Sequence, residues 1–229
     1  DRSNEIKVLI VCHIQVRDLE NARGGARFNW MNSILRLLCL EFGGGTVVPI
    51  FLGMRPFPLV NDAAVTITLV AWWLCHYSPG DFLYRTFKAS RVLRCLVAFL
   101  FEVMRCNVVI KWVTNAHDII PASYYPIPIW GPVICGALAG CFGGFLVGGL
   151  SVVEIGVPWL AQSAFYVSSF FSLAVYDPTL GPFLHALSPV GHQGLGPVGH
   201  QGSDDWRKAC HIASVLFMAG TTVLQEALG

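Results

Sequence analysis

Trp30 and the run Phe42-Gly43-Gly44 return one hundred positions later as Trp130 and Phe142-Gly143-Gly144, each set inside a long apolar segment. In both copies twelve positions separate the Trp from the Phe. The pattern reads as one helix used twice, with an aromatic at one end and a glycine break in mid-span. Duplications of this kind are a common building principle of membrane transport proteins. The alternative is coincidence between two glycine-rich apolar helices.

Composition points to the same solvent. Hydrophobic residues make up 54% and charged residues 13% of the 229-residue chain, where a soluble domain carries about 25% charge; the mean hydropathy is +0.58. A net charge of +1 supplies no basic field for nucleic acid. No HExxH, GxSxG, Walker loop or strand followed by GxGxxG is present, so no catalytic residue and no enzymatic activity is expected. The eight cysteines lie in apolar segments without a CxxC pair and read as small buried hydrophobes. His185, His192 and His200, the last two inside a direct repeat at 189–194 and 197–202, have no carboxylate or thiol at a defined spacing. That stretch reads as a low-complexity loop, and no metal site is expected. The chain begins at Asp1 with a charged stretch and shows no secretory signal, so insertion is expected to be directed by the first spanning helix.

A bilayer core asks for about 20 apolar residues per helix. That criterion divides the chain into seven spans near 4–20, 30–53, 59–77, 90–113, 127–150, 157–180 and 206–228. The first is the weakest, interrupted by Glu5, Lys7, His13 and Arg17. Trp30, Trp73, Trp112, Trp130, Trp159 and Trp206 fall close to predicted helix ends, and Trp72 adjoins Trp73, as expected of an interfacial aromatic belt. Gly and Pro punctuate the connections at Gly24-Gly25, Arg55-Pro56-Phe57-Pro58, Ser78-Pro79-Gly80-Asp81 and Tyr124-Tyr125-Pro126. Arg17, Arg23, Arg27, Arg85, Lys88 and Arg91 load the first and third loops, against Arg55, Arg207 and Lys208 in the second, fourth and sixth. The positive-inside rule then puts the N-terminus in a lumen and the C-terminus in the cytosol, although Arg2 and Lys7 argue mildly against it.

If spans two and five are equivalent, the repeat unit is three helices long. An odd number of crossings inverts the second copy, which places a pathway near the midplane between the copies. The expected units are a first repeat over about 4–77, a second over about 90–180 and a last helix over about 206–228. Gly136, Gly140, Gly144 and Gly148 form a stripe that lets another backbone approach. Gly43-Gly44-Gly45, with Pro49 close behind, predicts a kink or unwound turn.

Arg36, Glu41, Arg94, Glu102, Arg105 and Lys111 sit within apolar spans. Each would cost about 2.5–3.5 kcal/mol at the bilayer centre on insertion scales, so they are expected to face protein, water or headgroups. Arg91, Arg94, Ala98, Glu102 and Arg105 share one helix face, and Glu102 and Arg105 are spaced to pair along it. An internal ion pair, snorkelling side chains, a water-lined path and an anionic-lipid site are all compatible with that face.

Phe42-Gly43-Gly44-Gly45, Ser78-Pro79-Gly80-Asp81, Phe101-Glu102-Val103-Met104-Arg105 and Ala122-Ser123-Tyr124-Tyr125, in that order and spacing, resemble the trimeric intracellular cation (TRIC) channels. The likeness is good over about 28–150 and weaker beyond. It implies an all-α polytopic membrane protein of seven transmembrane helices, two inverted three-helix repeats plus a last helix, forming a homotrimer with a pore in each protomer. The implied function is a potassium-permeable monovalent cation channel of the endoplasmic or sarcoplasmic reticulum membrane, supplying counter-ion flow during calcium release. The resemblance implies pore hinges at Gly43, Gly44, Gly45, Gly143 and Gly144. It also implies phosphoinositide binding, phosphatidylinositol bisphosphate included, through a Lys-Glu-Val-x-Arg motif, which maps to Glu102 and Arg105 with Phe101 in place of the Lys; Arg94 shares the face. No other cofactor is implied. The runner-up is an inverted-repeat secondary transporter, and a third class is a lipid-binding scaffold without transport.

Overall fold

The computed structural model describes residues 16–18, 20, 29–77, 82–122, 127–148, 157–187 and 200–228. Most of the first expected span, the Ser78–Asp81 and Ser123–Pro126 connections, and His192 of the direct repeat lie outside these residues. Within them the fold is all-helical. Helix α1 runs Trp30–Phe51, and α2 is a single turn, Phe57–Val60, entered through Pro56 and Pro58, whose missing N–H groups cost nothing in a first turn. Helix α3, Asp62–His76, opens where the Asn61 side chain accepts the Ala64 N–H at 3.1 Å. Asp62 in its first turn and His76 in its last complement the helix dipole. Then come α4, Phe82–Ala89, and α5, Arg91–Ile119, the latter capped by the Ser90 hydroxyl on the Leu93 N–H. Helices α6 (Trp130–Gly148), α7 (Trp159–Tyr176), α8 (Leu180–Leu187) and α9 (His200–Leu228) complete the described chain.

The expected spans two to seven each have a helix. Differences fall at the ends and in the connections. Helix α5 continues to Ile119 and α9 starts at His200, because polar residues that end an apolar run do not end a helix. Helices α4 and α8 replace expected loops; eight residues are too short to register as a span, and α4 sets Arg85 and Lys88 among Phe82, Tyr84 and Phe87. Helices α1, α6 and the Asp204–Leu228 part of α9 are each long and apolar enough to cross a membrane. At 22 residues α1 is about 33 Å long, against a hydrocarbon core of about 30 Å. This is a polytopic membrane fold.

Two helices hold the rest in place. Helix α6 touches α1, α5 and α7, while α5 touches α6, α7 and α9. Cys106, Val109, Ile110 and Val113 of α5 interlock with Ala164, Val167, Phe171 and Ala174 of α7 and with Cys210 and Met218 of α9. A smaller core joins Val48 of α1, Trp112 and Ala116 of α5, and Cys135 of α6. Trp30 and Trp130 project outward at the matching starts of α1 and α6. Trp112 departs from the expected belt: it is buried seven residues short of the end of α5, because that helix outlasts its apolar run.

Candidate functional site

The site is built where α1 and α6, the two helices that carry the repeated Trp and Phe-Gly-Gly spacing, meet. Arg36 Nη1 donates to the Val147 carbonyl at 3.4 Å; the Cys39 and Leu40 carbonyls lie against Gly143, Gly44 lies against Ala139, and Val48 shares a core with Cys135. Partner numbers fall along α6 as they rise along α1, so the two helices run antiparallel. Gly43 sits on Gly143, its own counterpart in the repeat, and a Cβ placed on it would stand 2.7 Å from the Gly143 Cα. The approach is close enough for backbone to touch backbone, which only residues without a side chain permit.

The glycines therefore act as spacers. Helix α1 stays helical through Gly43–Gly45 and Pro49, so the unwound turn expected there is absent. The α6 stripe also divides its labour. Gly136 packs on Val113 and Ser168, and Gly140 on Val109 and Ala164, while Gly144 faces open space. Gly143, one position off the stripe, makes the contact with α1. Gly45 has only ordinary contact with Phe57.

Small residues leave room at the flanks of a crossing, and two cavities lie beside this one. The first, about 260 Å³, is bounded by Leu40, Glu41 and Gly44 of α1, Phe101 of α5, Gly140 and Gly143 of α6, and the start of α7 at Leu160. The second, about 200 Å³, is bounded by Glu41 and Gly45 of α1, by Phe57 of α2, by Met104 and Lys111 of α5, and by Ala139 of α6. Glu41 lines both. It lies at the middle of α1, about 16 Å from either end, and the buried Thr68 hydroxyl of α3 donates to its Oε2 at 3.1 Å.

The Glu102–Arg105 pair forms as its spacing predicts. Arg105 Nε and Nη2 donate to Glu102 Oε2 at 2.9 and 2.6 Å, and the two side chains are 5% and 2% exposed. Its remaining donors reach across to α7, Nη1 to the Leu160 carbonyl at 2.5 Å and Nη2 to the Ser163 hydroxyl at 2.7 Å. The guanidinium is thus engaged inside the protein, tying α5 to α7. Arg94 lies nearer the surface and pairs with Glu226 of α9 at 3.1 Å. Phe101, where the TRIC motif would place Lys, faces the first cavity. Ser163, Leu160 and Thr68 carried no sequence signal, since each looks like ordinary helix lining until its partner is known.

A protein-family model described as TRIC channel matches residues 23–149, more than half of the chain. The chain belongs to the TRIC channel family. Its fold agrees with solved structures. One, reported as the structural basis for activity of TRIC counter-ion channels in calcium release, is 17% identical, with 98% of this chain and 92% of that one covered at a TM-score of 0.67. A trimeric intracellular cation channel from C. elegans with bound Ca2+ is also 17% identical, covering 97% of this chain and 90% of its own at a TM-score of 0.64. The C. elegans channel in the absence of Ca2+ gives 16%, 96%, 88% and 0.61. No curated protein sequence matches the chain. In TRIC channel terms, Phe42–Gly45 and the glycine-rich helix α6 are the two elements in contact at the crossing.

Proposed function

We propose that this TRIC channel protein forms a homotrimer in the endoplasmic or sarcoplasmic reticulum membrane. Each protomer conducts monovalent cations, potassium chief among them, as counter-ion flow while calcium leaves the store. The observation that carries this reading is the antiparallel glycine crossing of α1 and α6 with two cavities beside it and one carboxylate common to both. Solved relatives of the same fold are described as counter-ion channels and as trimeric cation channels, which supports the assembly and the cargo. In the same reading the chain is two inverted three-helix repeats, about 4–77 and 90–180, followed by the last helix. The N-terminus is lumenal and the C-terminus cytosolic. Gly43–Gly45 and Gly143–Gly144 are where the crossing opens.

Phosphoinositide control belongs to this proposal in a narrower form. Arg94, at 29% side-chain exposure, is the member of the Arg94, Glu102 and Arg105 face that is open to a headgroup. Purified protein in planar bilayers under a KCl gradient tests the whole reading. Steady unitary cation currents and cross-linking that stops at three copies are expected. Saturable counterflow without unitary currents would replace the channel with a secondary transporter, and neither activity would leave a scaffold.

A further inference from the structure

Glu41 is a carboxylate at the middle of a membrane-crossing helix, where an ionised group survives only beside water or a balancing charge. Of the described residues lining the first cavity it is the only acidic or basic side chain. Among the described residues of the second cavity, Glu41 is joined by one basic side chain, the exposed Lys111 of α5. The two cavities thus share a single anionic wall, and one of them also has a cationic wall. The Thr68 hydroxyl, whose one proton is shared between Oε2 at 3.1 Å and the Ala64 carbonyl at 2.8 Å, touches the carboxylate from a third helix. A fixed charge in a low-dielectric constriction raises the local concentration of its counter-ion and repels ions of its own sign. Position and sign together give each residue an opposite role.

We infer that Glu41 is the charge that selects cations over anions where the two cavities meet at mid-membrane, and that Lys111 opposes it from the second cavity. This rests on the channel reading and assigns the residues that set its charge selectivity. The electrostatic account carries a signature that a packing role lacks: neutralising the two residues moves selectivity in opposite directions. Glu41→Gln lowers the potassium-to-chloride permeability ratio by about tenfold, the equivalent of about 1.4 kcal/mol. Glu41→Asp keeps most of the ratio because the charge remains. Lys111→Gln raises it.

The test is the reversal potential of purified wild-type, Glu41→Gln, Glu41→Asp and Lys111→Gln protein in planar bilayers under a KCl gradient, with the oligomer checked by size before recording. Opposite shifts for the two neutralised variants, with Glu41→Asp near wild type, establish the assignment. An unchanged ratio in Glu41→Gln, or shifts of the same sign in Glu41→Gln and Lys111→Gln, overturns it. Should Glu41→Gln fail to assemble, the Lys111→Gln shift decides alone, and a fall or no change there also overturns the assignment. A wild-type protein that carries no current refutes the channel reading itself, a result separate from all of these.

Discussion

The α1–α6 crossing and the α5–α7–α9 bundle sit in the same chain and solve the same problem differently. At the crossing, backbone meets backbone, and a Cβ on Gly44 or Gly143 would run into the carbonyls of Ala139 or Leu40. In the bundle, Val109, Phe171 and Met218 interdigitate around a buried ion pair. Lipid supplies no hydrophobic drive between helices, so association depends on close packing and on internal polar ties. The two routes leave different space behind. The crossing keeps cavities bordered by Glu41, whereas the groove of about 290 Å³ between α7 and α9, bounded by Tyr166, Phe170 and Phe217, has no acidic or basic side chain among its described lining residues. The proposed conduction path belongs to the first region, while packed side chains and the ion pair hold the second.

The largest expected effect breaks the bundle. Arg105→Ala strands the Glu102 carboxylate, 2% exposed, and costs about 3–5 kcal/mol of stability. The double change Arg105→Met with Glu102→Leu recovers most of that, because replacing a buried pair by apolar groups of similar volume is near neutral. Thermal unfolding of the three proteins in detergent checks this. An Arg105→Ala protein as stable as wild type would remove the tie from the account.

Next come the glycines, which separate the crossing from the rest of the stripe. Gly143→Ala forces carbonyls of α1 to move and is expected to cost about 1–3 kcal/mol, while Gly144→Ala meets open space and stabilises α6 by about 0.5–1 kcal/mol. Equal unfolding temperatures for the two variants would mean that α1 and α6 do not meet where described.

Phe101→Lys sharpens the comparison functionally, since it places an ammonium in the first cavity, opposite Glu41. Unitary potassium conductance is expected to fall, and phosphoinositide binding to vesicles to rise. Unchanged conductance would place the conduction path elsewhere.

The smallest effect lies at the surface of α4. Lys88 pairs with Asp18 at 2.9 Å, with both side chains about half exposed, and hydrogen bonding to that carboxylate raises the Lys88 pKa above its ordinary value. A raised pKa means that the contribution is complete below the ordinary lysine value and is lost as pH climbs through the raised one. Lys88→Met is expected to cost under about 1 kcal/mol, and less in high salt. A loss in hydrogen-exchange protection confined to α4 would fit; a destabilised bundle would not.

The helices were legible because length and hydropathy are local. Apolar runs bounded by Gly and Pro gave spans two to seven to within a few residues at most ends. The Glu102–Arg105 pair was legible for the same reason, one helical turn separating the two. Trp112 misled because helix and apolar run end at different residues, and α4 and α8 are too short to show in a hydropathy window. Arg105 looked open to a headgroup because its partners on α7 lie 55 and 58 positions away, beyond any helical period.

By itself the sequence determined that this chain is a membrane bundle, that two of its helices share one Trp and Phe-Gly-Gly spacing and that charges lie within its spans. Those properties depend on residue type and on spacing along one helix. Only the tertiary structure decided that α1 and α6 cross at Gly43 and Gly143, that Gly144 faces open space, and that Glu41 borders two cavities. In a membrane helix nearly every face is apolar, so the pattern does not mark which face turns inward. Register between helices is settled by where side-chain volume and backbone carbonyls from distant segments collide, and no local period records that.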